Sequence, residues 1–195
     1  MMIWNWPNIL TWLRILAIPL IMGLFLFGGH SPKGWAEPVA GLLFAAAAIT
    51  DSLDGYLARR LGQTTPLGAF LDPVADKLIV AVALVLIVSR DPRAVMVLTA
   101  AVIIGREIAI SALREWMAQI GASKSVAVSS LGKIKTTAQM IAIPMLLYYD
   151  QFIYVVDTRF WGQVLLGVAA ILTVWSMFYY LRKAWPLIKE KGGHL

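Results

Sequence analysis

The run Asp51-x2-Asp54-Gly55-x2-Ala58-Arg59-x8-Gly68-x3-Asp72-x3-Asp76 sets four carboxylates within or beside strongly apolar stretches of the chain. An unpaired carboxylate in low-dielectric surroundings costs several kcal/mol or takes up a proton. Acids inside a membrane therefore face a water-filled cavity, a partner or a metal. On helices, Asp51 and Asp54 lie at i, i+3 and Asp72 and Asp76 at i, i+4, so each pair projects from one face. Two such helices meeting form a single acidic pocket. Oxygen donors with no His or Cys nearby suit Mg2+ or Mn2+ better than zinc. Two ions are expected, because four uncompensated carboxylates repel one another. Gly55, Ala58 and Gly68 carry little side chain and leave room for a ligand or for close helix contact, and Arg59, one turn beyond Gly55, reaches a phosphate. The alternative is a set of capping or salt-bridged acids at the ends of two membrane helices.

The elements that carry these residues are apolar throughout. The 195 residues are 59% hydrophobic and 14% charged, with a mean hydropathy of +0.74, which places the chain outside the soluble globular class. Apolar runs able to cross a hydrocarbon core of about 30 Å occur at Ile9–Phe27, Val39–Leu57, Leu67–Val88, Ala94–Leu113, Ile134–Tyr149 and Trp161–Leu181. The expected fold is all-α: a polytopic membrane protein of six transmembrane helices, in one domain spanning 1–195. The first run does not read as a cleaved signal, because Arg14 interrupts it and no basic region precedes it. Ile3-Trp4-Asn5-Trp6-Pro7 reads either as a short interfacial segment with its Trp rings at headgroup level or as fraying before the first helix.

Six spans put both termini on one side. Thirteen of the 17 Lys and Arg residues fall on that side, and Lys33, Arg90, Arg93 and Arg159 fall on the other, offset by Glu37, Asp91, Asp150 and Asp157. Basic residues are retained on the cytoplasmic side, so both termini and the four motif aspartates are expected there, with the site facing the cytosol. A net charge of +6 clustered at one membrane face suits anionic headgroups and phosphorylated substrates; no nucleic-acid motif accompanies it. The absence of Cys excludes disulfides and thiol catalysis.

Asn8, Thr11 and Arg14 make a polar stripe at i, i+3 and i+6 along the first helix, which lines a pocket or hydrogen-bonds between helices. Arg106 either pairs with Glu107 or binds phosphate, and Arg114 follows two turns later. Lys133 and Lys135 open the fifth helix, where they anchor the positive-inside face or strengthen the pull of a helix amino terminus on an anion. His30 and His194 are isolated, and neither is assigned a role.

The acidic run resembles, at every fixed position, the signature of the CDP-alcohol phosphatidyltransferase family. Pro7-Asn8-x2-Thr11-x2-Arg14, Arg106-Glu107 with Ser111-Ala112-Leu113-Arg114-Glu115, and Gly132-Lys133-x-Lys135-Thr136 resemble the bacterial branch that takes a glycerol phosphate acceptor. The resemblance spans essentially the whole chain. It implies transfer of a phosphatidyl group from CDP-diacylglycerol to sn-glycerol 3-phosphate, with CMP as the second product. It also implies two divalent cations, Mg2+ or Mn2+, on Asp51, Asp54, Asp72 and Asp76, with Asp76 accepting the alcohol proton. Gly55, Ala58, Arg59 and Gly68 would accommodate the cytidine diphosphate, and Arg106, Arg114, Lys133 and Lys135 the acceptor's phosphate. A homodimer among membrane lipids is the expected assembly. A divalent-cation transporter and a structural scaffold are the competing classes; the first leaves Gly55, Ala58, Arg59 and Gly68 without a purpose.

Overall fold

A computed structural model describes residues 6–28, 35–61, 66–119, 121, 130–148, 151–152 and 156–191. Among them are six helices: α1 (Trp6–Phe27), α2 (Ala36–Leu61), α3 (Pro66–Arg90), α4 (Ala94–Gln119), α5 (Ser130–Tyr148) and α6 (Thr158–Lys191). Each apolar run read from the sequence falls on one of these helices, apart from Tyr149, which is outside the described residues. Most of the proposed interfacial segment also lies outside them; only Trp6 and Pro7 are described, in the first turn of α1. Among the described residues the strands are one pair of two residues each, between α5 and α6. Strand β1 (Gln151–Phe152) runs antiparallel to β2 (Val156–Asp157), with Gln151 opposite Asp157.

Local chemistry sets the helix ends. The Asp157 carboxylate accepts the backbone N–H of Phe160 at 2.9 Å and caps α6. Pro66 opens α3, where its missing N–H costs nothing. After α4, the Gly121 N–H donates to the Ala118 carbonyl at 3.1 Å with φ of +74°, a left-handed conformation that glycine adopts without strain.

The helices close into a ring. α1 packs on α2, α2 on α5, α5 on α6, α6 on α4, α4 on α3 and α3 back on α1, with α3 and α5 touching across the middle. The core inside the ring draws on every helix, including Ile21, Phe44, Leu84, Ile103, Ile143 and Leu166. Close approach is needed where α2 meets α5. A methyl group added at Gly41 would lie 2.8 Å from the Pro144 carbonyl oxygen and 2.9 Å from the Tyr148 nitrogen, both backbone atoms. Gly41→Val is therefore expected to push the two helices apart and cost about 1–3 kcal/mol, read as a lower thermal unfolding midpoint in detergent. An unchanged midpoint would show that the helices do not meet this tightly.

The outside of the ring is as apolar as the inside. Phe27 is 87% exposed, Val95 73%, Ile171 69% and Trp175 67%, and these are joined by Leu16, Leu98, Ile108, Phe178 and Trp185. Water would penalise such a surface, whereas lipid does not. Ile9–Phe27, Ala94–Gln119 and Thr158–Pro186 are long and apolar enough to cross a membrane. The other three helices, α2, α3 and α5, hold the acidic and lysine motifs.

Candidate active site

Polar side chains gather at the two ends of the bundle, with the apolar core between them. At one end Glu37 of α2 pairs with Arg90 of α3. Asp91 there binds Arg93 at 2.5 Å, Arg159 at 3.9 Å and the Gln163 amide at 3.2 Å. Three of the four cations read as offset by acids are thus in ion pairs. Hydrogen bonds from Arg93 hold the Asp91 carboxyl below the usual carboxylate range, against the opposing pull of burial.

The opposite end holds the motif. Arg14, buried on α1, donates from Nη2 to Asp51 at 2.7 Å and from Nη1 to Asp76 at 3.0 Å, so one guanidinium joins α2 to α3. Thr11, one turn earlier, donates its hydroxyl to Asp72. Thr11 and Arg14 of the stripe on α1 therefore make interhelical hydrogen bonds, and their partners are three of the four motif carboxylates.

The carboxylates of Asp51 on α2 and Asp76 on α3 meet around Arg14, and α1 lies against both helices. Acids brought this close repel one another, and the guanidinium compensates them. The side chains of Asp54, Gly55, Ala58 and Arg59 on α2, Asn8 on α1 and Lys133 on α5 lie outside the described residues. Gly68, at the start of α3, is buried.

A cavity of about 310 Å³ opens beside the acids, between α3, α4 and α5. Asp72, Asp76 and Lys77 line it from α3, Glu107 and Arg114 from α4, and Thr136 and Gln139 from α5. Lys77, Glu107 and Gln139 are not among the site residues that the sequence motifs indicate, and Thr136 enters them only through the run Gly132-Lys133-x-Lys135-Thr136. Lys77 follows Asp76 directly, and Glu107 lies two turns before Arg114 on α4.

Arg106 and Lys135 are placed differently from Arg114. Lys135, buried on α5, is bonded to Glu107 of α4. Arg106 is 7% exposed; it bonds Glu107 at 3.4 Å and the Ser176 hydroxyl at 3.0 Å, with its guanidinium carbon 5.6 Å from the Tyr180 ring centre. Of the two readings of Arg106, the ion pair with Glu107 is present, and the guanidinium does not line the cavity. The pairing network takes it into the α4–α6 contact, since a buried guanidinium needs acceptors and an aromatic face.

Carboxylate oxygens from two helices beside a polar cavity are donors of the kind hard divalent cations take. Among the described residues no three acidic, imidazole or thiol side chains converge closely enough to form a ligand set. The positive charge between Asp51 and Asp76 is Arg14.

A family model described as CDP-alcohol phosphatidyltransferase matches residues 4–175. The chain belongs to the CDP-alcohol phosphatidyltransferase family. A relative from Pseudomonas fluorescens is 50% identical over 192 residues, covering 96% of this chain and 94% of that protein. Relatives from Salmonella choleraesuis (strain SC-B67), at 50%, and Escherichia coli (strain K12), at 49%, each align over 180 residues, 92% of this chain and 94% of the relative. All three bear the name CDP-diacylglycerol–glycerol-3-phosphate 3-phosphatidyltransferase. Membership gives Arg14 and Thr11 a context, since they hold three of the four carboxylates of the family's acidic motif.

Proposed function

We infer that this chain transfers the phosphatidyl group of CDP-diacylglycerol to sn-glycerol 3-phosphate, releasing CMP and forming phosphatidylglycerophosphate. The observation that carries this reading is identity of about half of all positions, over nearly the whole chain, to relatives named for that activity. Arg14 gathering motif acids from α2 and α3 beside a cavity supports it.

Family members generally use divalent metal ions. Asp51, Asp54, Asp72 and Asp76 are the residues that would hold two of them, Mg2+ or Mn2+. Bound there, the ions would neutralise diphosphate charge and stabilise the departing CMP. The chain's own groups do the rest. Gly55, Ala58 and Gly68 admit the cytidine diphosphate and Arg59 meets its phosphates, with Asn8, Thr11 and Arg14 lining the acidic end. Asp76 takes the proton from the acceptor hydroxyl as that oxygen bonds to phosphorus and the bond from phosphorus to the CMP oxygen breaks. A carboxylate is a weak base toward an alcohol, so the proton moves late, when the new bond has already acidified the hydroxyl. Arg114 on the cavity wall, with Lys133 and Lys135 at the start of α5, supplies positive charge for the acceptor's phosphate. Arg106 acts from behind by holding Glu107.

All six helices span the inner membrane of a bacterium in this reading. Both termini and the acidic end of the bundle are cytoplasmic, residues 1–195 form one domain, and the enzyme is a homodimer. The polar end then lies at the water interface while acyl chains stay in lipid, which suits substrates of opposite solubility. Purified protein given CDP-diacylglycerol and Mg2+ is expected to release CMP with sn-glycerol 3-phosphate and not with serine, inositol phosphate or phosphatidylglycerol. CMP release that follows another acceptor instead would overturn the assignment.

A further inference from the structure

Five cations stand at the acidic end of the described bundle close to the cavity or its walls, and four of them are engaged. Arg14 holds Asp51 and Asp76, Lys135 holds Glu107, and Arg106 is shared by Glu107 and Ser176. Arg114 lies over the Tyr180 ring, 5.7 Å from its centre. Lys77 is the exception: it lines the cavity and forms no ion pair within 4 Å among the described residues.

Lys77 also borders a groove of about 290 Å³ between α3 and α4, lined by Val74, Leu78, Ala81, Ile104, Ile108 and Glu107, which it shares with the cavity. A lysine beside apolar side chains lays its methylenes along them and keeps its charge toward polar surroundings. The cavity beside Asp72 and Asp76 is polar, with Thr136 and Gln139 on its other walls.

We propose that Lys77 binds the phosphate of the acceptor alcohol and, with Arg114, makes the cavity select a phosphorylated acceptor. The proposal rests on the transfer reaction inferred above. A cavity walled by Asp72, Asp76 and Glu107 repels an anion unless a cation is free to meet it, and Lys77 is that cation. An ammonium is a compact donor of three hydrogen bonds, suited to a phosphate approached from one side. An acceptor whose phosphate rests on Lys77 has its hydroxyl within the same cavity as the Asp76 carboxylate.

The test is steady-state kinetics of the purified full-length chain with CDP-diacylglycerol and Mg2+, comparing wild type with Lys77→Met, Lys77→Gln and Lys77→Arg. Losing a charge-assisted bond should raise KM for sn-glycerol 3-phosphate about tenfold or more in the Met and Gln variants. KM for CDP-diacylglycerol should stay within about twofold, since the inferred reaction assigns the donor's phosphates to Arg59 and not to Lys77. Inorganic phosphate should weaken as a competitive inhibitor in parallel, and Lys77→Arg should keep most of the affinity. Unchanged acceptor KM overturns the proposal. So does an equal rise for both substrates, which marks a structural role beside Glu107, or a rise confined to CDP-diacylglycerol. A wild-type enzyme that does not use glycerol 3-phosphate sinks the functional reading itself, whereas an active wild type with unaltered variants sinks only the role of Lys77.

Discussion

Asp76→Asn is expected to lower CMP release by about three orders of magnitude or more, with the protein still folded and inserted. The size follows from asking one carboxylate to do two jobs. General-base contributions run at about 10²–10⁴-fold, and loss of a metal-ligand oxygen adds to that. An amide is nearly the same shape as a carboxylate, so it keeps the packing while losing the charge. Asp76 sits at the junction of the two features that matter: its carboxylate is 3.0 Å from Arg14, and it lines the cavity with Asp72, Lys77 and Arg114. Its side chain is 38% exposed, so removing its charge should not unfold the bundle. Single-turnover CMP release, with circular dichroism and size-exclusion behaviour compared to wild type, is the measurement. Turnover retained within tenfold would remove Asp76 from the chemistry.

Arg14→Met is expected to be the most destabilising single change at this end of the molecule. The guanidinium is 3% exposed and bridges Asp51 of α2 and Asp76 of α3. Truncating it leaves two carboxylates facing one another across a gap. Breaking a fully buried pair costs about 3–5 kcal/mol. Here the acids are 30% and 38% exposed, so solvent screens part of the penalty and the lower end, about 3 kcal/mol, is the expectation. The physical argument also sets the sign of a rescue. If repulsion between Asp51 and Asp76 drives the loss, millimolar Mg2+ should restore part of the unfolding midpoint in Arg14→Met and do less for wild type. Arg14→Lys, which keeps the charge but cannot fork to two acceptors, should fall between them. A variant as stable as wild type, with or without Mg2+, would mean that Arg14 does not join α2 to α3.

Much of this was legible from residue order. The long apolar runs fix six helices, because a backbone away from water satisfies its own N–H and C=O groups in helical form. The spacing of Asp51, Asp54, Asp72 and Asp76 says that charge must be compensated locally. Thr11 and Arg14 stood out because a polar stripe on an apolar helix has to face protein or a cavity. The prediction that Arg90, Arg93 and Arg159 are offset by acids follows from the same cost of isolated charge, and Glu37 and Asp91 supply the partners.

Other features depended on which helices become neighbours. The ring runs α1–α2–α5–α6–α4–α3, and a side chain from α1 joins α2 to α3. Arg106, Arg114, Lys133 and Lys135 look alike in sequence, each a cation near one end of a helix. Packing separates three of them: Arg106 turns to Ser176, Lys135 to Glu107, and Arg114 to the cavity. Lys77 counts in the sequence only as one of the thirteen basic residues on one side of the membrane, and nothing in its spacing sets it apart from them.

The division has one physical origin. Secondary structure and the need to neutralise charge are set over a few residues, by periodicity and by the energy of a carboxylate in a poor dielectric, and the chain carries both openly. The identity of each neutralising partner is set over tens of residues, 37 between Arg14 and Asp51 and 62 between Arg14 and Asp76. Several cations could satisfy each acid, and only the packed arrangement of helices chooses among them.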